Sequence, residues 1–316
     1  MKALITELIW QEGIDELYRQ GFEVDYEETL WQDREGLLSK LGIYDAVIVR
    51  NQTKVDAEFL AAGHRLKAIG RLGVGLDNID IPAARSKDIK VVFAKHANAT
   101  SVAEYVMAAI LSASRPLHLA DMDVRNGAWD RKRHTKTEIN RKTIGLVGLG
   151  EIAHRVAKRA VAFGMEVIGY DPFITDYDHI ASETGVKVKA ELEEVLKESD
   201  FISLHVPLTP ATKNLIGSNE LILMKPNGVI INTSRGGIID EAALAAALRN
   251  RTISGAYLDV LEQEPVKRDH PLLDCPNAVI TPHVAGLTEE SQIRTSLLVA
   301  KEVGKILKGV NSLCTV

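Results

Sequence analysis

An α/β fold of two doubly wound parallel sheets is predicted for this 316-residue chain by three observations. Short apolar runs alternate with helical stretches up to about residue 97. A glycine-rich turn at residues 148–153 sits where a buried strand hands over to a helix. A second series of buried runs follows, each opening into polar residues. The length itself suits about two domains.

In order along the chain, the apolar runs at residues 3–5, 22–24, 46–49, 68–69 and 91–93 read as strands of a first sheet. Residues 101–114 form one long helix whose face is rich in Ala, Val, Ile and Leu, suited to bridging two domains, with Ser101 as its N-cap. Residues 126–141 are the most polar, charge-rich loop. Runs at 144–147, 201–204, 229–231, 256–258 and 278–280, with the strand before Asp171, supply about six strands of a second sheet. Residues 191–196 and 241–248 read as helices between them. A final helix from about residue 288 to 307 lies beyond the last of these strands and is expected to return to the first domain, giving two chain crossings and a hinge.

The turn at Gly148-Leu149-Gly150-Glu151-Ile152-Ala153 points to a dinucleotide. Gly148 allows the tight turn, Gly150 lets backbone approach a pyrophosphate, and Ala153 is small enough for helix and strand to pack closely. Phosphate then meets free N–H groups at a positive helix end. The helix is amphipathic, with Ile152, Val156, Ala160 and Phe163 on one face and Gly164 as its stop. Asp171 closes the next strand, where a carboxylate accepts from the adenosine ribose hydroxyls and repels a 2′-phosphate, so the cofactor is read as NAD.

Composition excludes several classes. The net charge of −5 gives no reason to expect nucleic acid or an anionic membrane as partner. Cys275 and Cys314 are the only cysteines, too few for a disulfide framework or a zinc site, and no metal is expected. Residues 1–10 include Glu7 and too short an apolar run for a signal segment, so a cytoplasmic enzyme is expected.

Ligands bind beyond the carboxyl ends of strands in an open parallel sheet. There the second series presents His205-Val206-Pro207, Asn232-Thr233-Ser234-Arg235, Asp259 followed by Glu264, and Pro282-His283. An Arg, a carboxylate and a His facing a nicotinamide suit reduction of a 2-keto acid. Arg235 pairs with the substrate carboxylate and polarises the carbonyl. His283 exchanges a proton with the substrate oxygen, and Glu264 fixes the ring through its other nitrogen.

With these residues in place the chain resembles the D-isomer-specific 2-hydroxyacid dehydrogenases, of the phosphoglycerate dehydrogenase-like kind without a regulatory domain. The resemblance runs over essentially the whole length, through Gly148-Leu149-Gly150, Tyr170-Asp171-Pro172, His205-Val206-Pro207-Leu208-Thr209, Asn232-Thr233-Ser234-Arg235-Gly236, Asp259-Val260, Glu262-Gln263-Glu264-Pro265 and Thr281-Pro282-His283-Val284-Ala285-Gly286. It implies a flavodoxin-like substrate domain (1–97 plus 287–316) and a Rossmann NAD-binding domain (98–286). It also implies Arg235, Glu264 and His283 as the catalytic set, Asp259 near the nicotinamide carboxamide, and a homodimer around the long helix. Cofactor contacts are then expected from Gly148, Gly150, Glu151, Ile152, Asp171, His205, Val206, Pro207, Thr212, Thr233, Ser234, Arg235, Asp259, His283, Ala285 and Gly286. Substrate contacts are expected from Arg235 and His283, from Gly73, Val74 and Gly75 through backbone N–H groups, and from Arg50 and Gln52 toward a second anionic group.

Glu151 departs from the family's common Arg-Ile-Gly, removing a positive charge beside the pyrophosphate. Among the histidines, His64, His118, His154, His179 and His270 read as surface or loop residues, His205 as shaping the cofactor pocket, and His96, with Asn98, as lining a pocket near the domain junction. The charged run Arg131-Lys132-Arg133-His134 after Trp129 reads as a solvated loop, with reach across a dimer as the alternative. The expected activity is an NAD-dependent D-2-hydroxyacid dehydrogenase on a small 2-hydroxy acid, phosphoglycerate-like and sulfolactate-like substrates among them. The alternatives are a glyoxylate/hydroxypyruvate reductase, a formate dehydrogenase, which Glu264 in place of Gln disfavours, and a non-catalytic NAD-sensing module resembling corepressors.

Overall fold

All ladders between strands are parallel, and each sheet lies within one of two units of the chain. The computed structural model describes residues 1–316. One unit comprises Met1–Asn98 with Leu287–Val316 and the other Ala99–Gly286.

In the first unit, β1 (Lys2–Ile5), β2 (Glu23–Tyr26), β3 (Ala46–Val49), β4 (Ala68–Arg71) and β5 (Lys90–Phe93) form a sheet of order β2-β1-β3-β4-β5. This is the flavodoxin-like order. Helices α1 (Gln11–Arg19), α2 (Arg34–Lys40), α3 (Ala57–Ala62) and α4 (Ile81–Ser86) connect the strands. Alternate residues of each strand feed opposite faces: Ile5, Ile48 and Val92 enter one core, Leu4, Val47, Val49 and Val91 the other. That is why β3 is apolar at every position, whereas the edge strand β2 keeps its polar residues outside the cores.

The C-terminal helix (Glu289–Leu307) packs in this unit against α1 and β4. The close approach is set by two glycines. A methyl group on Gly13 would lie 2.9 Å from the Ser296 Cβ, and one on Gly70 would lie 2.6 Å from Val299 Cγ1 and 2.8 Å from Val303 Cγ2.

In the second unit the helices α5 (Ala99–Ser114) and α6 (Leu117–Arg125) precede a sheet of seven strands: β6 (Thr143–Val147), β7 (Glu166–Tyr170), β8 (Lys187–Val188), β9 (Phe201–Leu204), β10 (Val229–Asn232), β11 (Gly255–Leu258) and β12 (Ala278–Ile280). Their order, β12-β11-β10-β9-β6-β7-β8, is the doubly wound dinucleotide-binding order extended by one strand. Helices α7 (Glu151–Ala162), α8 (His179–Thr184), α9 (Leu192–Glu198), α10 (Ser218–Leu223) and α11 (Glu241–Arg249) cover its faces.

Helices α6, α8 and α10 lie outside the elements read from the sequence, and two further details differ. Helix α5 begins at Ala99, so Ser101 lies inside the first turn and is not the N-cap. The seventh strand is the short edge strand β8, whose two residues give no detectable alternation.

Gly70→Ala is expected to destabilise the protein by about 1–3 kcal/mol, since the helix would have to withdraw from the sheet. An unchanged urea midpoint would contradict that packing.

Candidate active site

Because the strands are parallel, the chain leaves each of them at the same edge of the second sheet. Gly148 follows β6, Asp171 follows β7, His205 follows β9, Thr233 follows β10 and Asp259 follows β11. The strand order reverses between β6 and β9, where such folds bind ligands. Across that crevice His205 donates its backbone N–H to Val147 O at 2.7 Å. A methyl group on Gly148 would come within 2.8 Å of the His205 carbonyl, and its φ of +89° lies in the left-handed region that glycine alone adopts freely.

Gly150 is the N-cap of α7 and has open space where a side chain would begin. The Asp171 carboxylate accepts from Leu149 N and Phe173 N, both at 2.9 Å, tying the glycine turn to the end of β7. Both ring nitrogens of His205 and the Thr233 Oγ1 are buried without a protein partner. Burial lowers the His205 pKa to about 4, so the ring is neutral at ordinary pH. An exposed helix N-terminus, a glycine cradle and orphaned polar atoms at the strand ends form a donor set that fits a nicotinamide dinucleotide.

Glu151 does not leave a bare negative charge there. Arg155 Nε and Nη2 meet its Oε1 at 2.8 and 2.6 Å, while Arg155 Nη1 donates to Thr100 Oγ1 at 2.8 Å. The acid and base neutralise each other one helical turn apart. Ile152 is half-buried beside them, packed on the core under α5.

Beyond β10, the buried Asn232 side chain accepts from Ser234 N at 3.0 Å and donates to Arg235 O at 2.9 Å, so it holds the turn carrying Arg235. The hydroxyl of Ser234 donates to Leu204 O at 2.6 Å and therefore braces the turn. Thr212 likewise closes its own loop, donating to Pro207 O at 2.5 Å. Gly236 runs so close to the Leu261 carbonyl that no side chain fits between them, which places the Arg235 turn against the segment leading to Glu264.

The Glu264 Oε2 stands 2.8 Å from His283 Nδ1, and its Oε1 accepts from Leu261 N at 3.1 Å. An ionised carboxylate only accepts, so Nδ1 carries the proton of that bond and Nε2 is left for another partner. Val206 packs on the apolar core, Pro207 is exposed, Ala285 is buried and Gly286 is half-buried. Asp259, expected near the cofactor, is buried and accepts from Val284 N and Ala285 N at 2.8 and 2.7 Å, so its carboxylate builds the loop that carries His283.

The family is decided by comparison with known proteins. The model of the D-isomer specific 2-hydroxyacid dehydrogenase NAD binding domain matches residues 107–285. The chain belongs to this family. It is 44% identical to a D-3-phosphoglycerate dehydrogenase of Methanocaldococcus jannaschii, over 98% of this chain and 58% of that protein. It is 43% identical to an (S)-sulfolactate dehydrogenase of Chromohalobacter salexigens, over 96% of this chain and 98% of that protein. It thus spans less than two thirds of the phosphoglycerate dehydrogenases it matches. Among solved structures it resembles the TT0316 protein of Thermus thermophilus, with TM-score 0.90 and 32% identity over the whole of both chains.

The first unit holds the remaining predicted residues. Arg50 and Gln52 lie just beyond β3 and line, with Glu7, Glu28, Trp31 and Gln32, a cavity of about 320 Å³. Burial lowers the pKa of the Arg50 guanidinium, an effect Glu7 partly offsets. Gly73, Val74 and Gly75 form the turn after β4, with Gly73 at a φ of +156° and its carbonyl accepting from Ala94 N at 2.9 Å.

Glu7 is a residue of this cavity that the sequence reading did not single out. It is buried, and its carboxylate accepts the backbone N–H groups of Arg50, Asn51, Gln52 and Thr53 at 2.8, 3.1, 2.9 and 2.9 Å. Its place two residues beyond β1 was the available signal.

Of the histidines read as surface or loop residues, His154 is neither, lying within helix α7. His154 is buried, and burial lowers its pKa. His270 pairs with Glu241 at 2.8 Å, while the same carboxylate accepts from Glu262 N at 2.6 Å and so supports the segment before Glu264. His64, His118 and His179 are exposed. His96 has a φ of +62° and is exposed, and Asn98 is half-buried. In the charged loop, Arg133 and His134 both pair with Asp123 of α6 at 2.8 Å.

Gly148→Ala is expected to weaken NADH binding roughly tenfold or more, because the turn would have to leave its left-handed conformation and retreat from β9. Fluorescence titration with NADH checks this, and wild-type affinity would refute it.

Proposed function

We propose that this chain is an NAD-dependent D-2-hydroxyacid dehydrogenase, working in either direction as a 2-keto acid reductase. The observation that carries this reading is the His283–Glu264 pair at 2.8 Å, which stands with Arg235 on the edge of a sheet whose switch point suits a nicotinamide dinucleotide. Bound NAD supplies the two-electron acceptor or donor. Asp171, at the end of β7, favours the unphosphorylated ribose and hence NAD over NADP.

Arg235 binds the substrate carboxylate and stabilises negative charge developing on the adjacent carbonyl oxygen. His283 Nε2 delivers a proton to that oxygen during reduction and recovers it during oxidation. Glu264 accepts from Nδ1 in both states, fixing the ring orientation. An intact acid–base pair is of no use to a purely sensory module, so turnover is the better reading.

The substrate is a small 2-hydroxy acid with a second anionic group, read by Arg50. In support, the similar proteins include phosphoglycerate and sulfolactate dehydrogenases. Further support comes from the anchoring of the Arg50 loop: four successive N–H groups end on Glu7, so its fold does not depend on a ligand.

The protein works as a homodimer in the cytosol. Helix α6 buries none of its residues, and Leu117, Leu119, Met122 and Val124 are exposed on it, beside a cavity of about 540 Å³ at Leu111 and Arg115. Such an apolar surface is suited to covering by a second copy. No helix is long and apolar enough to cross a membrane.

Purified protein is expected to oxidise NADH with one or more of glyoxylate, hydroxypyruvate, phosphohydroxypyruvate and sulfopyruvate. His283→Ala should lower kcat by roughly 10²-fold or more. Absence of turnover across the panel sinks the activity, and near-normal kcat in the variant sinks the role of His283.

Arg50→Ala should raise KM for the phosphorylated or sulfonated acid by roughly tenfold or more, leaving glyoxylate nearly unaffected. Equal losses on all substrates would remove Arg50 from distal-group recognition.

A further inference from the structure

We propose that Tyr105 is a positioning residue for the acid–base histidine, acting through a directed hydrogen-bond chain from helix α5 to the loop on which His283 sits. The proposal rests on the assignment of His283 made above.

The Tyr105 hydroxyl is 2.6 Å from Thr281 Oγ1, and Thr281 Oγ1 is 2.6 Å from Asp259 Oδ1. Asp259 is buried and also accepts from Val284 N on Oδ1 and Ala285 N on Oδ2. The direction of every proton is fixed by elementary valence. An ionised carboxylate has none to donate, so the single Thr281 proton points to Asp259, and Tyr105 must donate to Thr281. No alternative orientation satisfies all three groups.

The chain grips the polypeptide on both sides of His283. Thr281 lies two residues before it, and Val284 and Ala285 follow it directly. His283 itself donates its backbone N–H to Asp259 O at 2.9 Å and Thr281 O at 3.0 Å, and its φ is +56°. A left-handed histidine keeps that conformation only where its surroundings over-determine it. Asp259 and Thr281 supply that determination, and Tyr105 fixes Thr281. The Tyr105 side chain is desolvated, which raises its pKa, so the phenol keeps its proton through the working range.

Tyr257 provides an internal control. It is a second tyrosine whose hydroxyl reaches α5, donating to Ser112 Oγ at 3.3 Å, two strand positions before Asp259 yet outside the chain.

The test compares Tyr105→Phe, Thr281→Val, Thr281→Ser, the Phe/Val double variant and Tyr257→Phe. Each is assayed for NADH oxidation with the best keto acid of the panel, over pH, and for NADH affinity. Tyr105→Phe and Thr281→Val should each lower kcat roughly tenfold and shift the pH profile, with NADH affinity within about twofold. The double variant should lose little more than the worse single one, since both break the same chain. Thr281→Ser, which keeps the hydroxyl, and Tyr257→Phe should stay near wild type. Wild-type kcat and pH profile in Tyr105→Phe, or an equal loss in Tyr257→Phe, would overturn the proposal. In parallel, the His283 imidazole resonances of ¹⁵N-histidine-labelled protein, assigned with His283→Gln, should move in Tyr105→Phe and stay unmoved in Tyr257→Phe. If wild-type protein turns over no keto acid, the activity reading fails, while unmoved His283 resonances would still refute the role of Tyr105 on their own.

Discussion

A parallel sheet delivers the chain from every strand to one edge, and the backbone groups of each departing loop must find partners there. The structure meets this constraint in the same way three times. Asp171, just beyond β7, takes the N–H of Leu149 in the loop of its neighbour β6. Asp259, just beyond β11, takes those of Val284 and Ala285 in the loop of its neighbour β12. Glu7, beyond β1, takes four from the loop of its neighbour β3. In each case a carboxylate at the end of one strand shapes the loop of the next, and those loops carry the glycine turn, His283 and Arg50.

The bracing acids differ in setting from Glu264. Asp259 and Glu7 are almost wholly buried and surrounded by N–H donors, so they remain acceptors whatever binds beside them. Glu264 has one backbone donor, Leu261 N, and faces the His283 ring with its side chain 40% exposed. In the proposed reaction a carboxylate in that setting follows the ring as its charge changes, which a group locked by backbone donors cannot.

Periodicity and glycine placement made the two sheets legible in the sequence, because buried parallel strands are apolar at nearly every position. The candidates Arg235, Glu264 and His283 stand out in the sequence because each sits shortly after such a run. The bracing residues were harder. Glu7 is one acid amid apolar neighbours, and its role appears only when β3 is seen beside β1. Ser234 and Thr212, expected as cofactor contacts, also brace their own loops, because short hydroxyl side chains find nearby backbone carbonyls. His154 was misread because polarity alone says nothing of burial, and its Glu partner comes from a distant segment. Helix α6 escaped detection since it packs no face on its own unit, and β8 because two residues carry no period.

The exchange of a base for Glu151 at the start of α7 bears on what holds an anion there. Its charge is matched by Arg155 on the following turn, and Thr100 of α5 fixes that Arg from the other side. The charge of the first turn is therefore close to zero, and the attraction for a pyrophosphate comes from free N–H groups and the aligned peptide dipoles. Dipolar attraction falls off within a turn and is strongly directional, so affinity depends on how closely backbone can approach the phosphate. That places the weight of cofactor binding on the shape of the Gly148–Gly150 turn, and on Asp171, which holds the turn by its Leu149 N–H.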